Sequence, residues 1–265
     1  MARFRMGCFF RAAAYFIGCS PLGHNPYQAR FYRDWVAKSG LVSFQVAIRE
    51  SDLMIRAHRD LRRRAWDLTQ HARDEIEEEI RRRPAFRTSL TPLPMPVRAG
   101  PVVRAMIQSG RVCDVGPMAA VAGAVAQFVG VGLLRWTPEV IVENGGDIYL
   151  KMNRPVEMGL YAGDHSPYTG EIKLKVNPAG GPLGVCTSSG TVGHSLSFGR
   201  SDAIVCVAAD AALADAAATA IGNRILSPDD VERTLREEQK RGLLKGLLIT
   251  IGGRMGAFGE IEILR

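Results

Sequence analysis

The sequence predicts an α+β protein built on a largely antiparallel sheet. Three observations carry that expectation. Short alternating runs joined by glycine turns recur, as in VENGGDIYL (142–150) and LLITIGGRMGAF (247–258); Asn-Gly between alternating apolar residues is a strong hairpin signal. Helical stretches fall between these hairpins without a steady strand–helix–strand rhythm, which argues against a doubly wound parallel sheet. There is no GxGxxG after a strand, no Walker A loop and no GxSxG elbow, so the nucleotide and hydrolase folds that depend on them are not indicated.

Residues 41–58 alternate well enough for two strands around a turn at 50–52. A long amphipathic helix is expected over 60–83: Leu61, Ala65, Leu68, Ala72, Ile76 and Ile80 step by three or four and form one apolar stripe. Glu77 with Arg81, Glu78 with Arg82 and Glu79 with Arg83 stand four apart, in the favourable order for helix ion pairs. Pro84 stops this helix, and Pro92, Pro94, Pro96 and Pro101 punctuate a loop. A short helix over 101–109 should end at Gly110. CDVGPMAAVAG then reads as a turn into a helix of small residues, with Asp114 capping the helix that Pro117 helps start. Strands are expected within 139–152, 156–162, 171–176 and 202–208. A helix follows at 211–222. SPDDVERTLREEQKRG is a further helix, opened by Ser227, Pro228 and Asp230, and a hairpin closes the chain.

Composition bounds the function loosely. The chain has 265 residues, 46% hydrophobic and 23% charged, with a net charge of +7. The positive charge is spread along the chain, so it permits an anionic ligand without selecting nucleic acid, which is not expected as a partner. The five cysteines form no CxxC pair, which fits reduced thiols in a cytoplasmic protein. Residues 1–25 read as a poorly specified leader, because Arg11 breaks the apolar run, and 26–265 as one domain. No membrane span is expected, and a homodimer is the default for an enzyme of this size.

Four stretches carry chemistry, each with a bland alternative. In ALADAAATAIGN, Asp215 and Thr219 are the only polar side chains between Asp210 and Asn223. Four residues apart, they share one helix face and can ligate a hard cation such as Mg²⁺ beside a nucleotide phosphate; equally, the alanines can serve only tight helix packing. In ENGGDIYL the glycines make a hairpin turn, or let a ligand approach the backbone. GGPLGVCTSSGTVGHS (180–195) is either a loop whose amides and hydroxyls hold an anion or a mobile surface loop. Within it, His194 is either a phosphate ligand or acid–base group, or structural. The helix start after Asp114 can meet phosphate, or need nothing more than its cap.

Their order along the chain resembles that of ApbE, the Mg²⁺-dependent FAD:protein FMN transferase family: a D-x-G turn into a small-residue helix, N-x-GGD-I after a strand, a TSG loop, then AD-xxx-T. The likeness runs from about Phe31 to the C-terminus and is strongest to the uncharacterised ApbE-like proteins of archaea and anaerobic bacteria. It implies the T-fold-like α+β architecture and a site for a flavin or adenine nucleotide, FAD or FMN, with Mg²⁺. It implies that Asp215 and Thr219, with the backbone carbonyl near Ala119, hold the metal. Asn144, Gly145, Gly146 and Asp147 then match the glycine turn beside the flavin nucleotide, and Thr187, Ser188, Ser189 and Gly190 the TSG loop with one serine inserted. Two departures stand out. The family's Lys-Gly pair after D-x-G is replaced by PMAAVAG, and its H-x-x-D-P-x-T-G by HSLSFGRSDA, which keeps only His194. Nucleotide and Mg²⁺ binding can survive those losses while FMN transfer or FAD pyrophosphatase activity fails. Two other classes of function stand beside this one. The first is a non-catalytic accessory role in anaerobic sulfur assimilation with a protein partner, in which Cys113 and Cys186 carry sulfur. The second is an interaction module that uses the basic helix.

Overall fold

The computed structural model describes residues 40–163, 166–190 and 199–264. The leader, and His194 with its neighbours at 191–198, lie outside the described residues. Among the described residues, eleven strands and six α-helices follow one another: β1 (Val42–Ile48), β2 (Ser51–Ala57), α1 (Arg62–Arg82), α2 (Ala85–Thr88), α3 (Pro101–Cys113), α4 (Val121–Leu133), β3 (Val140–Asn144), β4 (Asp147–Lys151), β5 (Val156–Gly159), β6 (Lys173–Val176), β7 (Leu183–Ser188), β8 (Ala203–Ala208), α5 (Ala211–Gly222), α6 (Asp230–Arg241), β9 (Gly246–Ile251), β10 (Arg254–Gly259) and β11 (Glu262–Leu264).

Eight strands form one antiparallel sheet in the order β1-β2-β3-β4-β7-β8-β9-β10. Each strand therefore pairs with the next one in sequence, apart from the inserted β5–β6 pair. That pair and β11 make a second, three-stranded sheet, β11-β6-β5. Strand alternation divides the large sheet into two faces. Leu53, Ile55, Val140, Val142, Tyr149, Cys186, Ile204 and Cys206 pack under the helices. Ile141, Ile148, Leu150, Val185, Val205 and Val207 pack against the small sheet. The sequence-based expectation of α+β with antiparallel sheets holds, and the central strands of the large sheet are buried on both faces, which explains the near-continuous apolar runs of β3 and β8.

The local readings hold where the signal is local. The β3–β4 turn places Gly145 and Gly146 at positive φ (70° and 106°), and Asn144 pairs with Asp147 across it. Helix α1 buries Ala65, Ala72 and Ile76 of its predicted stripe. Glu78–Arg82 and Glu79–Arg83 pair as expected, whereas Arg81 turns to Glu78 and Glu77 is drawn to Arg73 and Arg49.

Three readings are corrected. Helix α3 does not end at Gly110 but continues to Cys113. Gly110 is needed because the chain returns over it: a Cβ there would stand 2.8 Å from the Val115 carbonyl oxygen. Asp114 caps no following helix; it closes α3 in the left-handed region (φ 58°), and no side chain caps the 3₁₀ turn Pro117–Ala120 that leads into α4. Residues 183–188, read as part of a loop, form the central strand β7. Its Gly184 looks like a loop residue in sequence, but α5 lies directly upon it, and a Cβ there would stand 2.6 Å from the Ala211 nitrogen.

Candidate functional site

Helices α4 and α5 cross on the sheet above β4 and β7, and small residues let them meet at backbone distance. A Cβ on Gly123 would stand 2.8 Å from the Ala211 carbonyl carbon and 2.9 Å from the Asp215 Cβ, so only glycine allows the crossing. Two polar links fix its register. Gln127 of α4 donates to Asp210 Oδ2 (2.9 Å) and accepts from the Ala211 amide (2.6 Å). Asp210 in turn caps α5 by accepting from the Leu213 amide (2.9 Å). In the other direction, Asp215 of α5 accepts from the Gly123 amide (2.9 Å) and from that of Ala122. These are first-turn N–H groups of α4, which have no partner within their own helix, and a carboxylate there meets the positive end of the helix dipole. Asn144, at the end of β3, donates to the Ala122 carbonyl (3.2 Å) and ties the glycine turn to the same helix start.

Below this crossing lies Asp147, the first residue of β4. In register and alternation it shares the helix-facing side of the sheet with Tyr149 and Cys186. It is 8% exposed. Its carboxylate receives the Thr187 amide and the Cys186 side chain, yet Oδ1 has no hydrogen-bond partner. Burial, and then the charge of Asp215, hold its pKa well above the usual carboxylate range. Burial likewise raises Asp215 to about 7, against the pull of the Gly123 and Ala122 amides. The charge of Asp215 thus acts on Asp147 in a desolvated place. The next charge acting on Asp147 is also acidic, Glu143, whose Oε1 accepts from the Gly146 amide (3.1 Å).

The remaining expected site residues are placed as follows. Thr219 lies one turn beyond Asp215 and, like it, is half-buried. Ala119, in the 3₁₀ turn before α4, is also half-buried. Gly145 is exposed and Gly146 half-buried. Ser188 faces α5: a Cβ on Gly222 would sit 3.5 Å from its Oγ. Thr187 pairs with Val205 in the core on the other side of the sheet, so its amide, not its hydroxyl, reaches the site. Ser189 and Gly190 follow the strand, and the Gly190 amide donates to the Ser201 carbonyl (2.9 Å). Thus Asn144, Asp147, Ser188, Asp215 and Thr219 come to one side of the sheet. Sequence reasoning missed Gln127 and Gly123; a lone glutamine and a glycine within an otherwise apolar helix were the only local signals.

The three cysteines among the described residues are poorly placed to carry sulfur. Cys113, Cys186 and Cys206 are buried free thiols. Burial raises Cys113 to about 11 and the other two well above the ordinary thiol value, which keeps them protonated and unreactive. Among the described residues no single helix is long and apolar enough to cross a membrane.

Residues 33–251 match the family model described as AbpE bacteria. The chain belongs to this family. Its AbpE relatives include UPF0280 proteins of methanogens. That of Methanothermobacter thermautotrophicus is 44% identical over 198 residues, covering 72% of this chain and 76% of the relative. That of Methanocaldococcus jannaschii is 37% identical over 226 residues, covering 83% and 91%. In fold the AbpE chain is similar to the flavin transferase ApbE from Vibrio cholerae (TM-score 0.55, 11% identity, 82% of this chain and 96% of that one). It is similar also to the apo form of the Pseudomonas stutzeri flavinyl transferase ApbE (TM-score 0.53, 12% identity, 82% and 93%).

Proposed function

We propose that the surface where the start of α4, the Asp215–Thr219 face of α5 and the β3–β4 turn come together binds a flavin nucleotide together with Mg²⁺. The observation that carries this reading is the position of Asp215: one carboxylate, held by two backbone amides, with Thr219 one turn further on and Asp147 below. The reading draws further support from a fold shared with proteins described as flavin transferases.

The residues fit the cation. Asp215 and Asp147 offer carboxylate oxygens, Thr219 a hydroxyl and Ala119 a backbone carbonyl, which are the hard oxygen donors Mg²⁺ prefers. The amide four residues after Ala119, that of Gly123, is given to Asp215. The unpartnered Asp147 Oδ1 is a buried acceptor that calls for a positive partner. When bound, Mg²⁺ neutralises phosphate charge and polarises a scissile P–O bond. The chain's own part is positioning. Asn144 fixes the α4 start through the Ala122 carbonyl. Gly145 and Gly146 leave the turn bare for a ligand's approach. The closely packed alanines keep water out of the crossing, and Ser188 offers a hydroxyl from the strand.

With FAD as ligand, the reaction class is attack on the flavin-side phosphorus with AMP leaving. The new P–O bond is made by water or by a protein hydroxyl, and the pyrophosphate P–O bond breaks. Because this chain lacks the Lys-Gly pair and the D-P-x-T-G segment, nucleotide binding is the property to measure before turnover. Isothermal titration with FAD, FMN and ADP, with and without Mg²⁺, tests the reading. Mg²⁺-dependent binding that disappears in Asp215→Ala is the expected result, and liquid chromatography for FMN and AMP then reads turnover. Absence of binding with all three nucleotides in Mg²⁺ overturns it.

A further inference from the structure

Asp147 is one of several oxygen donors at the proposed site, and its surroundings set it apart from the others. Asp147 is buried and Asp215 half-buried, and the charge of Asp215 acts on Asp147. The groups that act on Asp147 are Asp215, the Cys186 side chain, the Thr187 amide and Glu143; those that act on Asp215 are the Gly123 and Ala122 amides. No lysine or arginine is among them. The stretch from Asp114 to Gly123, DVGPMAAVAG, carries no lysine or arginine either. Two buried like charges without a counter-charge are strongly disfavoured. Amides satisfy Asp215 at α4, but on Asp147 one oxygen, Oδ1, is buried and has no hydrogen-bond partner. That oxygen lies on the side of the sheet where α5 presents Asp215.

We propose that Asp147 is a second carboxylate ligand of the divalent cation, so that the chain loads the ion through Asp147 and Asp215 before any nucleotide arrives. This rests on the reading of this surface as a cation-dependent nucleotide site. Two carboxylates of charge −1 balance a dication fully. A site with one carboxylate leaves that balance to the phosphates and binds metal and nucleotide together. The other contacts of Asp147 suit a ligand: the Thr187 amide and the Cys186 side chain hold the carboxylate and leave Oδ1 unpartnered, as groups behind a metal ligand do. Cys186 also contacts the Ala211 carbonyl (3.3 Å), which links this support to the start of α5.

The test uses Mn²⁺ alone, without nucleotide, on the full chain. Free Mn²⁺ is read by electron paramagnetic resonance during titration, and the melting point of each metal-free variant reports folding. The wild type should bind one Mn²⁺ per chain, and Asp147→Asn and Asp215→Asn should each weaken it at least tenfold. The metal-free melting point of Asp147→Asn should equal or exceed that of the wild type, because a buried repulsion is gone. If Asp147→Asn does not fold, Asp147→Ser repeats the titration. Unchanged Mn²⁺ affinity in the Asp147 variant, with loss in Asp215→Asn, overturns the assignment and leaves the proposed site standing. Mn²⁺ uptake by the wild type only when FAD is present overturns preloading and likewise spares that site. Failure to bind Mn²⁺ under any condition, with or without FAD, removes both.

Discussion

Replacing Gly123 by alanine should separate the two halves of the site. The added Cβ would meet the Ala211 carbonyl carbon at 2.8 Å and the Asp215 Cβ at 2.9 Å, where ordinary contact begins at 3.4 Å. The obstacle is backbone and a short side chain, so no rotamer change removes it, and α4 must retreat from α5 by about 0.6 Å or more. The Asp215–Gly123 hydrogen bond, 2.9 Å long, then stretches to about 3.5 Å, beyond a useful length. Overpacking of this kind costs about 1–3 kcal/mol, and loss of the carboxylate cap adds about 1 kcal/mol. At about 2–4 °C per kcal/mol for a chain of this size, the melting point should fall by about 4–16 °C. Gly132→Ala, in the same helix, is the control. Its Cβ would meet only the Leu68 side-chain tip, at 2.7 Å, which can turn aside, and it gains the same helix propensity of about 1 kcal/mol. Thermal melts followed by circular dichroism compare the two. If Gly123→Ala melts within about 1 °C of Gly132→Ala, the backbone crossing is not what holds Asp215 in place, and the argument fails.

Three further outcomes are expected. An acid whose pKa is higher in the folded state binds its proton more tightly there, so folding is favoured below that pKa. With Asp215 raised from 3.8 to about 7, and Asp147 raised in the same sense, metal-free stability should fall as pH climbs from about 4 to about 7. Denaturant melts in chelator should show that slope, flattened in Asp215→Asn; an identical slope in the variant would refute it. Gln127→Ala leaves the Ala211 amide without its acceptor and Asp210 without one donor, at a cost of about 1–3 kcal/mol; a change below about 0.5 kcal/mol in urea unfolding would show that the latch is idle. The thiols of Cys113, Cys186 and Cys206 should react with a disulfide reagent only after unfolding, so labelling followed by mass spectrometry that finds Cys186 modified in the native chain would contradict their burial.

Much of the frame could be read from local signals. The ENGG turn, the stripe of α1 and the alanine run of α5 each declare themselves within about fifteen residues, and the structure places α5 over the predicted 211–222. The proposed site was read from the sequence as a set of motifs in order. Asp215 with Thr219 is a spacing, and a spacing is fixed once the helix forms. What local reading misjudged were glycines. Gly110 and Gly184 looked like breaks, but both sit inside regular elements because another piece of backbone lies against them. That is a fact of packing between residues far apart in sequence, which no window along the chain contains.

By itself, then, the sequence determined most of the elements, though not β7, the hairpin pairing of neighbouring strands, and which polar side chains share a helix face, because hydrogen-bonded turns and periodicity act over short range. Only the tertiary structure decided that Asp215 caps α4 from another helix, and that Gln127 returns the contact. It alone brought Asp147 of β4 close enough to Asp215 of α5 for one charge to act on the other. Asp147 and Asp215 are 68 residues apart in the chain, and their approach is imposed by a sheet whose central strands are buried on both faces and by helices of small residues packed at backbone distance. The electrostatic cost of that approach, and the cation proposed to relieve it, come into being only when the chain folds.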